Sequence, residues 1–122
     1  MSMKAGDMTE IGRVGDLKDG EMKMVVVRGR EILLAMAGGQ YYAADNRCPH
    51  MGGNLSKGRL QGTFVTCPRH GSQYDLKDGL VIRWTNWPAA LLALDQYRSQ
   101  RRPLQVYPVA VDGYSIKAEL PV

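Results

Sequence analysis

Short runs of apolar and β-branched residues alternate with turn residues along most of this chain. Runs of four to eight residues, separated by glycine-containing segments, are typical of antiparallel strands. Gly38-Gly39, Lys77-Asp78-Gly79 and Asp112-Gly113 predict tight turns, because glycine tolerates a positive φ. We predict strands at 9–13, 22–27, 31–37, 40–44, 63–66, 72–76, 80–84, 104–111 and 114–120.

One segment, residues 88–102, departs from this pattern and predicts a helix. Pro88 suits a first turn, and Leu91 and Leu94 lie near one helical face. Arginines crowd the last turn, where they complement the helix dipole, and Pro103 ends the helix.

Composition favours one globular domain spanning residues 1–122, with 44% hydrophobic residues. No apolar run is long enough for a membrane span, and the first residues lack the apolar stretch of a secretory signal, so we expect a cytoplasmic protein. The net charge of +4 is spread along the chain without a nucleic-acid motif, which argues against nucleic-acid binding. No nucleophile and base are paired by spacing, so we expect no catalytic residues and no enzyme active site.

All the cysteines and histidines lie in two short clusters. Cys48-Pro49-His50 is followed, after sixteen residues, by Cys67-Pro68-Arg69-His70. Thiolates and imidazoles gathered in this way indicate a metal centre. Zinc sites more often pair ligands of one kind, so the alternating order C-x-H…C-x2-H is unusual for zinc, although a Cys2His2 zinc site stays open.

Both clusters and their flanks resemble the Rieske [2Fe–2S] proteins. The similarity extends over 45–53 (DNRCPHMGG), 65–75 (VTCPRHGSQYD) and the turn at 77–79. It implies that Cys48 and Cys67 bind one iron and His50 and His70 the other. It also implies an all-β, Rieske-like antiparallel sandwich or barrel, with a small inserted cluster-binding subdomain at about 45–87. The helix near 88–102 would be an addition to that fold, and its basic end could dock an acidic partner.

One difference from the high-potential members of that family and one similarity to them concern the cluster surroundings. Gly53 and Arg69 stand where those proteins have two further cysteines, so their disulfide is absent and the chain resembles the soluble ferredoxins. Ser72 and Tyr74 match the hydroxyl residues that hydrogen-bond to the cluster in the high-potential type. We therefore expect these two residues to tune the cluster toward an intermediate potential.

The resemblance implies a one-electron carrier. Electrons would come from a reductase, expected to be an NAD(P)H-dependent flavoprotein, and pass to a terminal oxygenase such as a ring-hydroxylating dioxygenase. Two alternatives stay open at this point. One is a small subunit of an assimilatory nitrite reductase-like complex, and the other is a zinc-stabilised binding module.

Overall fold

The fold is given by a computed structural model that describes residues 7–49, 52–69, 71–83 and 102–121. In these ranges the chain forms eleven β-strands and one short 3₁₀ helix. The strands are β1 (Asp7–Arg13), β2 (Met22–Val27), β3 (Arg30–Ala37), β4 (Gln40–Asp45), β5 (Arg59–Gln61), β6 (Phe64–Thr66), β7 (Gln73–Asp75), β8 (Val81–Arg83), β9 (Val106–Tyr107), β10 (Val109–Asp112) and β11 (Ser115–Leu120). The 3₁₀ helix is Leu55–Lys57.

The strands form three antiparallel sheets. A base sheet has the order β1-β11-β10, a central sheet the order β2-β3-β4-β9, and a loop sheet the order β5-β6-β7-β8. The all-β antiparallel architecture predicted from the sequence is therefore confirmed. β5 is three residues long, too short for a recognisable alternation, and the sequence pattern missed it.

β3 is buried on both faces because it separates two hydrophobic cores. Leu33 and Ala35 point toward the loop sheet, whereas Ile32 and Leu34 point toward the base sheet. All four are fully buried, and burial of each of the large ones contributes about 1.5–3 kcal/mol to folding. The central sheet thus supports the loop sheet on one side and the base sheet on the other.

Glycines with a positive φ lie in the hairpin turns. Gly38 and Gly39 have φ values of 61° and 80° and close the β3–β4 hairpin as predicted. The last hairpin turns one residue later than predicted, because Asp112 still pairs with Ser115 and Gly113 takes the positive φ.

The single strand predicted at 104–111 is wrong. The chain forms two strands there, β9 in the central sheet and β10 in the base sheet, with Pro108 between them. Proline has no N–H to donate to a ladder, so it suits the point where the chain leaves one sheet for another. Its carbonyl oxygen still accepts a bond from the Glu119 N–H.

The predicted helix at 88–102 lies outside the described residues, apart from Arg102. In the part of the chain that the structure describes, no helix is long and apolar enough to cross a bilayer.

Candidate metal centre

The two cysteines lie in one buried core. Cys48 is 3% exposed and Cys67 is 2% exposed, and no disulfide joins them. They share the core between the central and loop sheets with Val65, Tyr74 and Leu76, among others. Two chain segments 19 positions apart are thereby brought together around a pair of thiols.

The first cysteine begins a closed backbone loop. The Cys48 N–H donates to the Gly53 carbonyl oxygen at 2.8 Å, and the Gly52 N–H donates to the Cys48 carbonyl oxygen at 2.7 Å. Gly52 has a φ of 72°, a backbone conformation that residues other than glycine adopt only at a cost in free energy.

The second cysteine begins a loop of the same design. The Cys67 N–H donates to the Ser72 carbonyl oxygen at 2.7 Å, and the Gly71 N–H donates to the Cys67 carbonyl oxygen at 3.1 Å. Gly71 has a φ of 74°. The signal for this likeness is visible in the sequence as two C-P-x-x-G pentapeptides, at 48–52 and 67–71, which the ligand spacing alone did not reveal.

Amide side chains hold the first loop, residues 46–54, at its ends. Asn46 is fully buried, and its Nδ2 donates to Asn54 Oδ1 at 2.8 Å, while its Oδ1 accepts from the Ser56 N–H at 2.9 Å. Its backbone N–H donates to the Glu31 carbonyl oxygen, and its carbonyl oxygen accepts from the Leu55 N–H. One residue thus ties the loop's entry to its exit and to β3.

Charged and phenolic side chains fix the strand that leads into the first loop. The Arg47 guanidinium binds both oxygens of Glu31, at 3.0 and 3.1 Å, and this hydrogen bond lowers the pKa of that exposed carboxyl group. The Tyr107 hydroxyl donates to Asp45 Oδ1 at 2.6 Å. Burial first and this carboxylate second raise the pKa of Tyr107 to about 12.

The second loop, residues 66–72, is held mainly by the β6–β7 hairpin. Thr66 pairs with Gln73 across the two strands, and Gln73 Nε2 donates to Thr66 Oγ1 at 3.1 Å. Arg83 Nε donates to the Gly71 carbonyl oxygen at 3.0 Å.

Gly53 leaves the space between the two loops open. A Cβ atom at this position would lie 2.5 Å from Cys67 Sγ and 3.3 Å from Arg69 Cβ. Positions 53 and 69 are therefore adjacent, as expected from the resemblance to the high-potential Rieske proteins, which have cysteines at both positions. Here the missing side chain provides room beside the Cys67 thiol.

Tyr74 is fully buried beside the first cysteine. Its hydroxyl lies 3.4 Å from Cys48 Sγ. Burial, followed by the contact with Cys48, raises the pKa of Tyr74 well above its ordinary value, so the hydroxyl keeps its proton. Ser72 is also fully buried, and its hydrogen bond with Tyr74 partly offsets that shift.

The predicted histidine ligands, His50 and His70, lie outside the described residues. In the described ranges no three His, Cys, Asp or Glu side chains gather as a metal site, so the two cysteines are the part of the predicted ligand set that the structure describes. Arg102 reaches the first loop from the far end of the chain and donates to the Pro49 carbonyl oxygen, one residue before His50.

These observations fit an iron–sulfur cluster. Thiolates are soft ligands of the kind that iron–sulfur clusters require. Two equivalent loops present them in a dry core, and a glycine leaves room where a side chain would collide with a thiol.

Comparison with known proteins identifies the family to which the chain belongs. A model of the Rieske [2Fe–2S] domain family matches residues 7–108. The chain belongs to this family. Its cofactor is accordingly a Rieske-type [2Fe–2S] cluster, which disfavours the zinc alternative.

Several relatives of this Rieske protein are components of dioxygenase systems. It is 33% identical over 109 residues to the 3-phenylpropionate/cinnamic acid dioxygenase ferredoxin subunit of Shigella flexneri, covering 88% of this chain and 89% of that one. It is 35% identical over 69 residues to the ferredoxin component of the naphthalene 1,2-dioxygenase system of Pseudomonas putida. That match covers 57% of this chain and 66% of the relative, just under two thirds of its length.

Solved structures support the fold. The ferredoxin of carbazole 1,9a-dioxygenase from Nocardioides aromaticivorans superposes with a TM-score of 0.74. The match covers 92% of this chain and 96% of that ferredoxin at 23% identity.

Proposed function

We propose that this Rieske protein is a one-electron carrier that passes electrons from a reductase to a terminal oxygenase. The observation that carries the proposal is the pair of buried cysteines at equivalent points of two equivalent loops. Several relatives support the same function, since they are named as ferredoxin components of dioxygenase systems and not as the oxygenases themselves.

The proposed ligands are Cys48 and Cys67 for one iron and His50 and His70 for the other. A [2Fe–2S] cluster held in this way takes up and releases one electron, and with two thiolates on a core of charge +2 its oxidised form is formally neutral. Reduction of a neutral site is easier than reduction of a dianion, which is why His-ligated centres lie at about −150 to +300 mV.

The protein's own residues would set the surroundings of the cluster. The core around Cys48 and Cys67 excludes water from the thiolates. Tyr74 keeps its proton, so beside a thiolate its hydroxyl is the donor of the bond to Cys48 Sγ. Such a bond stabilises the more negative, reduced state and raises the potential. Ser72 is proposed to act in the same sense.

We also propose that residues of about 45–87 form the inserted cluster-binding subdomain. The loop sheet and both cysteine loops fall within this range, which supports the assignment. The donor is proposed to be an NAD(P)H-dependent flavoprotein, as the family resemblance implies. The acceptor is proposed to be a ring-hydroxylating dioxygenase, by analogy with the dioxygenase components among the relatives. A cytoplasmic location stays a prediction.

Metal analysis and a redox titration of the purified protein test this function. We expect two irons and two acid-labile sulfides per chain, uptake of one electron, and the low-average-g EPR signal of a His-ligated centre on reduction. Cys48→Ser and Cys67→Ser should each abolish this signal. A colourless protein that holds zinc, or a cluster that takes up no electron from dithionite, would contradict the proposal.

Reconstitution tests the place in the electron chain. The protein should carry electrons between the reductase and oxygenase components of a 3-phenylpropionate-type dioxygenase system. Product formation that is the same with and without the protein would exclude the carrier role in such a system.

A further inference from the structure

An open cleft with a strongly basic lining runs along the second loop. Its cationic side chains are Lys57, Arg59, Arg69 and Arg83, and its volume is about 440 Å³. We call it the basic cleft. The described residues that line it include four cations and no acidic residue, and Cys67 is among them.

Ion pairing distinguishes three cations of the basic cleft from several others on the described surface. Arg47, Lys23, Lys77 and Lys117 each have a carboxylate within 4 Å. Lys57, Arg59 and Arg69 are exposed, and no carboxylate of the described residues lies within ion-pair distance of them. Their charges therefore remain available to an outside partner.

Like charges held side by side in a concave surface repel one another and attract counter-ions. A concave wall of low dielectric strengthens that field and steers oppositely charged molecules toward it. Release of repulsion and of bound counter-ions then favours an acidic surface at this position over a neutral one. The chemistry of the cleft thus fits carboxylates.

The cleft also lies at the point from which an electron would leave or enter. Arg69 and Gly71, on either side of the proposed ligand His70, both line it. Arg83 reaches from the cleft wall to the Gly71 carbonyl oxygen, so the wall and the loop are joined by a hydrogen bond. A protein seated there would contact the second loop directly.

We propose that the basic cleft docks a carboxylate-rich surface of the protein with which this Rieske protein exchanges electrons. The inference rests on the proposed carrier function and adds the docking face and the chemistry of its partner. The cleft is distinct from the basic end of the predicted helix, to which the sequence alone assigned such a role.

The test compares two double variants that remove the same charge. Lys57→Gln/Arg59→Gln removes two cations of the cleft from positions outside both cysteine loops. Arg13→Gln/Lys117→Gln removes two cations from the base sheet, which lies across the central sheet from the cleft. The potential of each holoprotein is measured at an electrode, so that any change in driving force is known.

Two small oxidants and one acidic polymer serve as probes. The reduced holoprotein is oxidised by anionic ferricyanide or cationic hexaamminecobalt(III) in a stopped-flow instrument at low and high salt, with and without polyglutamate. For the original protein we expect a fast, salt-sensitive reaction with ferricyanide that polyglutamate slows. The cleft variant should react about tenfold more slowly at low salt, within the range of electrostatic steering, and lose the effect of polyglutamate.

The outcomes separate this inference from the function on which it rests. A cluster that gives no one-electron wave at the electrode contradicts the carrier function itself. If the cluster cycles but the cleft and base-sheet variants respond alike, the docking face is wrong. Ferricyanide oxidation could be slower in the cleft variant while polyglutamate has no effect on the original protein. The cleft would then attract small anions only, and the docking proposal would be overturned.

Discussion

The two cysteine loops share one backbone design but differ in what holds them. Each closes with the same pair of backbone hydrogen bonds around a C-P-x-x-G segment. The first loop is tied on both flanks by the hydrogen bonds of the buried Asn46 side chain, and by Arg102 at Pro49. The second loop continues a β-hairpin, and one of its sides opens onto the basic cleft.

This difference suggests that the two loops have different roles although their backbone geometry is the same. The shared backbone places each thiol, because it fixes the position of the cysteine relative to the glycine that turns the chain. The side chains around each loop then determine whether the loop is anchored to the rest of the protein or left open to a partner. We interpret the first loop as the anchored half of the site and the second as the half that meets a partner.

The largest effect is expected where the two loops approach each other. Gly53→Ala would place a Cβ atom 2.5 Å from Cys67 Sγ, so the thiol or the loop must move. We expect the iron and sulfide content of the purified protein to fall to a small fraction of normal, as measured by metal analysis and visible absorbance.

Gly52→Ala is the matched control for that change. A Cβ atom at this position has no heavy atom within 4 Å, but the φ of 72° is strained for alanine. We expect a loss of about 1–2 kcal/mol of stability with the cluster retained. Equal cluster contents in the two variants would show that the space beside Cys67 is unimportant.

The next largest effect should show how much the side-chain anchors of each loop contribute to stability. Asn46→Ala removes two side-chain hydrogen bonds and leaves the Ser56 N–H without its acceptor, at an expected cost of about 2–3 kcal/mol. Thr66→Val removes one bond, from Gln73, beside the second loop and should cost about 1 kcal/mol. Urea midpoints measure both, and similar losses would refute the contrast in anchoring.

The sequence predicted most of the sheet pattern and the chemistry of the site. Hairpins with glycine pairs, such as Gly38-Gly39, were predictable because few residues tolerate two successive positive φ values. The passage of the chain between sheets at Pro108 was not, since an unbroken apolar run gives no sign that its two halves pair with different strands. β5 was missed because three residues are too few to show an alternation of apolar and polar positions.

The surroundings of the site were harder to predict than its ligands. The cysteine spacing indicated a metal centre, and the family resemblance drew attention to Ser72 and Tyr74. The anchoring role of Asn46 depends on contacts that form only in the folded chain, with the Asn54 side chain eight residues away and the Ser56 N–H ten residues away. The basic cleft likewise assembles four cations from three separate segments, whose charges look scattered along the sequence.

A smaller effect concerns the thiol of the first loop. Tyr74→Phe removes the hydroxyl 3.4 Å from Cys48 Sγ while keeping the buried ring. If that bond favours the reduced state by about 1 kcal/mol, the potential should fall by roughly 40 mV for one electron. Voltammetry measures the change, and Ser72→Ala should shift the potential in the same direction. An unchanged potential in both variants would exclude the tuning role.

The smallest effect is expected at the outer support of the first loop. Arg102 is exposed, so the bond from its guanidinium to the Pro49 carbonyl oxygen competes with water and should contribute less than about 1 kcal/mol. Arg102→Gln should therefore leave the urea midpoint almost unchanged and speed the loss of visible absorbance in the presence of an iron chelator. Arg83→Gln, which removes the corresponding bond to Gly71, is the matched change on the second loop. Because that loop has no equivalent of the Asn46 network in the described residues, the Arg83 variant should release iron faster than the Arg102 variant, and the reverse order would contradict the distinction between an anchored loop and a loop left open to a partner.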